Sequence, residues 1–300
     1  MSAVSDDAGS VSSLLADASL PGIVDVHTHF MPDRVMRKVW AYFDSAGPLI
    51  GREWPIRYRA DEAARVAQLR EFGVVAFSSL VYPHKPDMAA WLNAWARDFA
   101  ARTPDCLPTA TFYPEPTAVD YVTDALDAGA VIFKAHIQVG DYPPDDPHLD
   151  KVWGLLADAS VPTVIHCGSG PTPGRFTGPG PVATVLARHP QLRLIVAHMG
   201  TPEYREFIDL ATEFAGVYLD TTMSFTDFSE ATQPFPRDLV PRLRDIGDRI
   251  LFGSDFPNIP YPYAHALEAL RRLDLGDDWL RAVCWDNPQR LLPIRLPNAS

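Results

Sequence analysis

Two histidines, His27 and His29, stand two residues apart at the end of the apolar run GIVDVHTHFMP (22–32). In an extended strand residues i and i+2 point the same way, so Asp25, His27 and His29 share one face and Val24, Val26 and Thr28 the other. Further ionisable groups close other apolar runs: Lys134 and His136 in FKAH, His166 in VIHCG, His198 in IVAHMG, Asp220 in GVYLDTT and Asp255 in LFGSDFP. One histidine at a strand end is ordinary. Ligand-type side chains at the ends of several separate strands form a constellation. Three imidazole nitrogens and one carboxylate oxygen make a donor set suited to zinc or another divalent transition metal. Zinc in such a set lowers the pKa of a bound water to about 7, which supplies hydroxide at neutral pH. The bland alternative is a set of partly buried histidines bonded to backbone, with Asp255 merely capping the turn at SDFP.

These side chains need a scaffold that collects strand ends. Eight apolar runs of strand length occur, at 22–27, 73–81, 107–113, 130–137, 162–167, 192–198, 216–222 and 249–255. They are near-continuous in apolar and β-branched residues, as parallel strands covered on both faces are. Segments with helical spacing follow or separate them, at 61–72, 87–102, 117–128, 148–159, 181–189, 202–214, 235–246 and 263–273. The first opens on Asp61, a residue type that caps helix N-termini. Strand–helix alternation implies βαβ units, and the count of eight points to a (β/α)8 TIM barrel, with a doubly wound open sheet as the alternative. The expected organisation is a mobile N-terminal tail over 1–18, then one barrel domain over 19–297 with a cap insertion at about 30–60. That insertion and the loop GSGPTPGRFTGPG (168–180) both follow strand C-termini, the end at which a barrel builds its active site.

Composition narrows the function classes. The 300 residues are 47% hydrophobic and 21% charged with a net charge of −12, an acidic balance that argues against nucleic acid as a partner. Three widely spaced cysteines form no disulfide framework or zinc pattern, which fits a reducing, cytoplasmic setting. Asp6 and Asp7 stand where a secretory signal would be positively charged, and no apolar run reaches membrane-spanning length, so no membrane partner is expected. A small-molecule substrate and, by base rate, a homodimer are the expected associations.

The segments VDVHTHF, VIHCG, IVAHMG and LFGSDFP, in that order and each ending a strand, resemble the amidohydrolase superfamily. Within it they are similar to the amidohydrolase-2, or aminocarboxymuconate-semialdehyde-decarboxylase-like, branch. DNPQRLL (286–292) resembles that branch's closing segment, so the likeness spans about residues 20–293. The resemblance implies a metal-dependent enzyme with His27 and His29 as first-strand ligands, His166 as the fifth-strand ligand, and Asp255 as the eighth-strand ligand and proton acceptor. It implies an acid/base or substrate-contact role for His198. It implies one divalent ion, zinc or else manganese, or two if Lys134 is carbamylated and bridges them; otherwise Lys134 is a substrate-side or structural cation. Two reactions fit: hydrolysis of an amide, lactone or ester through an activated water, and non-oxidative decarboxylation of a small unsaturated or aromatic acid. A non-catalytic barrel would have lost a ligand, and none is lost.

Other residues carry weaker signals. His136 shares a face with Lys134 and lines the pocket or packs beside it. Arg175 offers a guanidinium that clamps carboxylates bidentately, or is a solvated loop charge. Trp40, Tyr42 and Trp54 either cap a planar substrate or pack the insertion down. Cys167 points away from His166 and reads as a small buried apolar residue. His148, His189 and His265 fall in or at the ends of helices and read as structural, and His84 lies near a strand end.

Overall fold

A strand that is apolar on both faces must be covered on both faces, and among the described strands every residue is buried except Val75 and Tyr218, which are half-buried. The computed structural model describes residues 3–294, which form two compact units, residues 3–77 with 221–294 and residues 78–220. The first unit opens with α1 (Ala3–Asp17), β1 (Ile23–Asp25), α2 (Asp33–Asp44), α3 (Ala46–Ile50), α4 (Glu62–Glu71) and β2 (Val74–Phe77). The second holds α5 (Ala89–Arg102), β3 (Thr109–Thr111), α6 (Ala118–Asp127), β4 (Ile132–His136), α7 (Ile137–Gly140) and α8 (Pro147–Asp158). It continues through β5 (Thr163–His166), α9 (Pro179–Arg188), β6 (Leu194–Val196), α10 (Tyr204–Glu213) and β7 (Val217–Asp220). The first unit then resumes with α11 (Asp227–Glu230), α12 (Val240–Asp245), β8 (Ile250–Leu251), α13 (Tyr263–Arg271), α14 (Asp277–Arg281) and α15 (Asn287–Leu291).

The alternation read from the sequence is present: among the described residues each of the eight strands is followed by at least one helix. In the first unit β1 and β2 pair in parallel, Ile23 opposite Val74. The chain beyond β8 runs beside the chain beyond β1, with a parallel bridge between Thr28 and Phe256. In the second unit β3 to β7 pair in sequence order and all in parallel, with Ala135 opposite Ile165 and Val164 opposite Ile195. All five residues of β4 and all four of β5 are buried. Each Val, Ile or Phe taken from water in this way contributes about 1.5–3 kcal/mol before the cost of ordering the chain. Asp61 caps α4 as its residue type predicts, accepting the Ala64 N–H at 2.8 Å.

The N-terminus departs from the reading as a mobile tail. Residues 1–2 lie outside the described residues, but 3–17 form α1, which packs on α13. The helix packs because Val11 and, just past its end, Ala18 are buried on one face, and the Asp7 carboxyl is buried against donors from elsewhere in the unit. The expected domain end at 297 also lies outside the described residues. The insertion at 30–60 carries α2 and α3, which the sequence reading left undivided. Among the described residues no helix is long and apolar enough to cross a membrane.

Candidate metal centre and active site

The strand geometry expected at His27 and His29 is realised past the end of β1. The Val26 N–H donates to the Phe252 carbonyl at 3.1 Å, the Asp255 N–H to the His27 carbonyl at 2.8 Å, and the His29 N–H to the Phe256 carbonyl at 2.7 Å. This ladder fixes Asp255 beside both imidazoles. His29 Nε2 lies 2.9 Å and His27 Nε2 3.7 Å from Asp255 Oδ1. The two rings meet edge to face with centroids 5.1 Å apart. One donor atom from each of the three residues lies within 4.8 Å of the others, and all three residues are buried. Asp255 adopts φ +71°, a left-handed conformation that costs a non-glycine residue of order 1–3 kcal/mol. Strain of this kind, held in place by a ladder on one side and a turn on the other, marks a residue fixed for its side chain.

Asp25 ties the two strand ends together from below. Its Oδ1 accepts the N–H groups of His27 at 3.2 Å and Ser254 at 3.1 Å; its Oδ2 accepts the Ser254 hydroxyl at 2.6 Å and the Tyr263 hydroxyl at 2.8 Å. Burial pushes the Asp25 carboxyl up to about 7, against the pull of these four donors. The insertion adds a clamp on the other side of Asp255. Asn258, whose N–H donates to the Asp255 carbonyl, accepts the Trp40 indole N–H on its side chain at 3.1 Å and the Trp54 indole N–H on its carbonyl at 2.7 Å. Trp40 and Trp54 therefore pack the insertion onto the turn after Asp255, while Tyr42 is exposed. Arg65 on α4, also buried, donates to the His29 carbonyl at 3.4 Å and lies over the Phe30 and Trp40 rings.

In the second unit the strand ends carry a row of imidazoles. His136 and His166 are register partners in β4 and β5, and neighbouring strands run about 4.8 Å apart. Their rings accordingly stack at 4.2 Å and 14°, and His166 faces His198 at 4.7 Å. Tyr82, to which the sequence reading gave no role, packs on the outer side of His136 at 4.8 Å. His136 Nδ1 accepts the Val139 N–H at 3.3 Å, which leaves Nε2 as its protonated nitrogen. His166 donates from Nε2 to the Gly170 carbonyl at 3.1 Å, which makes Nδ1 its lone-pair nitrogen. His198 sits at φ +56° with its N–H bonded to Asp220 Oδ1 at 2.9 Å, so Asp220 fixes a second left-handed strand end. Lys134 is wholly buried in the same strand as His136. Arg175 is exposed on its loop with its guanidinium over the Phe176 ring. Burial holds the Cys167 thiol protonated, in keeping with an inert side chain. His148, His189 and His265 bond to Asp146, to Asp150 and to the Asp227 N–H respectively, as structural histidines do.

The chain matches the amidohydrolase family model over residues 24–294. It belongs to the amidohydrolase family. No curated protein matches it by sequence. Among solved structures it is similar to a TIM-barrel protein from Bordetella bronchiseptica, with 19% identity, a TM-score of 0.68, and coverage of 90% of this chain and 98% of the other. A 5-carboxyvanillate decarboxylase from Sphingomonas paucimobilis gives 14% identity and 0.62, covering 92% and 100%. A probable 2-pyrone-4,6-dicarboxylic acid hydrolase from Acinetobacter baumannii, solved with citric acid bound, gives 12% and 0.59, covering 90% and 98%. The fold of this amidohydrolase is the (β/α)8 TIM barrel expected from its strand count. It is an enzyme, from a metal-dependent family that acts on small molecules and holds both hydrolases and decarboxylases.

The donors of this amidohydrolase fit a divalent ion. Zinc bonds of 2.0–2.2 Å in tetrahedral geometry need donor atoms about 3.3 Å apart. The 2.9 and 3.7 Å separations of the two imidazoles from Asp255 Oδ1 bracket that value. Gly253 shows how little slack the first set has. A Cβ there would stand 2.7 Å from the His27 Cβ and closer still to Thr222 Oγ1. Gly253→Ala is expected to cost about 1–3 kcal/mol through overpacking, lowering Tm by roughly 2–5 °C, and to weaken metal binding. Thermal denaturation and a metal titration check this; an unchanged variant on both would show that His27 moves freely.

Proposed function

We propose that the chain is a metal-dependent hydrolase acting on an amide, lactone or ester bond of a small organic substrate. One observation carries the reading: His27, His29 and Asp255 present three buried donors at metal-ligand spacing on adjacent strand ends. We assign His166 as the fourth donor from the order of the family's segments, VDVHTHF, VIHCG, IVAHMG and LFGSDFP, and from its Gly170 contact. Zinc is the ion of choice for three nitrogens and one oxygen, with manganese next. When bound, such an ion acidifies water and draws electron density from a substrate carbonyl. Asp255 accepts the proton released from the attacking water. His198 holds the substrate oxygen or protonates the leaving group. Lys134 and His136 orient an anionic substrate group, and Arg175 offers a guanidinium to a carboxylate arriving from solvent.

The second reading is decarboxylation with the same residues. It is supported by the concentration of cation-capable groups on one run of strands, Lys134, His136, His166 and His198, which suits a carboxylate. A panel of lactones, amides, esters and unsaturated acids separates the two. Uptake of oxygen from labelled water marks hydrolysis; carbon dioxide release without it marks decarboxylation.

The test of the shared premise is elemental analysis of the purified protein with His27→Ala as control. About one zinc or manganese per chain, lost in the variant, is the expected result. Two ions would make Lys134 a carbamylated bridge. No ion after reconstitution would sink both readings.

A further inference from the structure

Helix α1 has no part in the reading above, yet it reaches the same strand ends. Asp7 is 4% exposed. Its carboxylate accepts the N–H groups of Tyr263 and Ala264, both at 3.0 Å, and the Tyr58 hydroxyl. Those two N–H groups open α13, whose own N-cap residue, Pro262, offers no side-chain acceptor. Asp7 therefore caps α13 from a different helix and sets a negative charge at the positive end of its dipole. Tyr263 spans the next step. Its backbone N–H is shared between Asp7 and the Tyr58 hydroxyl oxygen, at 3.0 and 2.7 Å, and its own hydroxyl reaches Asp25 Oδ2 at 2.8 Å. From Asp25 the bonds run to the His27 N–H on one strand and to the Ser254 N–H and hydroxyl on the other. An unbroken path of buried hydrogen bonds thus joins Asp7 to the backbone on which both His27 and Asp255 are mounted.

We propose that Asp7 is a positioning residue of the metal centre, acting through Tyr263 and Asp25 on the spacing of His27 and Asp255, and that α1 is part of that centre. The proposal rests on the reading of His27, His29 and Asp255 as metal ligands. Without the Asp7 carboxylate the Ala264 N–H and the Tyr58 hydroxyl lose their acceptor, and the Tyr263 N–H is left with the Tyr58 hydroxyl oxygen alone, 2.7 Å away, which Asp7 no longer holds in place. The first turn of α13 then shifts to find others. Tyr263 is wholly buried, so its ring moves with that turn and pulls on Asp25. Partners that orient metal ligands from outside the donor set typically carry 10–100-fold in affinity. Asp7 acts at two removes, so the lower end applies.

The experiment strips the full-length protein with a chelator and titrates it with Co2+, reading the visible absorption bands of the bound ion. Asp7→Ala is expected to weaken Co2+ binding about tenfold and to shift its bands. Tyr263→Phe is expected to do the same, because it cuts the path one step further on while leaving the α13 cap in place. Asp6→Asn, on the exposed side of the same helix, is expected to match the parent. If Asp7→Ala lowers Tm but binds Co2+ as the parent does, Asp7 is only a helix cap; the proposal falls and the metal reading stands. A parent protein that takes up no Co2+ overturns both. If Asp7→Ala fails to fold, Asp7→Asn and Tyr263→Phe decide the question by the same readout.

Discussion

Asp255→Asn is expected to leave the fold standing, to weaken metal binding, and to reduce turnover about 10²–10⁴-fold on whichever substrate the panel identifies. The substitution is nearly isosteric. Asparagine tolerates the left-handed backbone that Asp255 adopts at φ +71°, and its N–H can still donate to the His27 carbonyl. What it loses is the charge. In the proposed reaction the carboxylate oxygen 2.9 Å from His29 Nε2 would act as metal donor and as proton acceptor; an amide oxygen would do the first poorly and the second not at all. Three measurements separate these effects: Tm for the fold, metal per chain for the donor, and turnover at saturating metal for the base. A variant that keeps both its metal and its full turnover would show Asp255 to be a turn-capping residue, the bland reading of SDFP.

That site was legible because its signal is local. His27 and His29 follow the two-residue period of a strand just past the end of β1, where a ladder to the 252–256 segment keeps the chain extended. The stacking of His136 on His166 was half legible: each was placed at a strand end, but only the register of β4 against β5 sets them side by side. The supporting residues were not legible as such. Asp25 was seen to share a face with His27, but its partners Ser254 and Tyr263 lie more than 200 positions away in the chain. Asn258 is one polar residue in a turn until Trp40 and Trp54 close on it. Two of the helices not read from the sequence, α1 and α2, had signals of their own. Val35, Met36, Val39, Trp40 and Phe43 recur at helical spacing in α2, and Val11, Leu14, Leu15 and Ala18 do so in α1 and just beyond it. Serine and aspartate between the latter obscured an apolar stripe one residue wide. Asp7 could not have been found at all, since a buried aspartate is indistinguishable by sequence from a solvated one.

The removal of Asp25 is the other large effect. Asp25→Ala leaves four donors facing a void: two backbone N–H groups, from His27 and Ser254, and two hydroxyls, from Ser254 and Tyr263. A buried donor without an acceptor costs about 1–3 kcal/mol, and such costs within one network do not simply add. A net loss of about 3–5 kcal/mol is expected, at the low end of four such penalties combined. At this chain length that lowers Tm by roughly 5–8 °C. Asp25→Asn is expected to behave differently, because the four donors are of two kinds. The amide oxygen can take the place of Oδ1 and accept both backbone N–H groups, which cannot reverse. The amide nitrogen then faces two hydroxyls, and a hydroxyl can turn to accept. The asparagine variant should therefore lose no more than about a third of what alanine loses, and should keep its metal while alanine binds it weakly. Equal losses in the two variants would mean that the negative charge of Asp25, and not its acceptor geometry, holds the strand ends together.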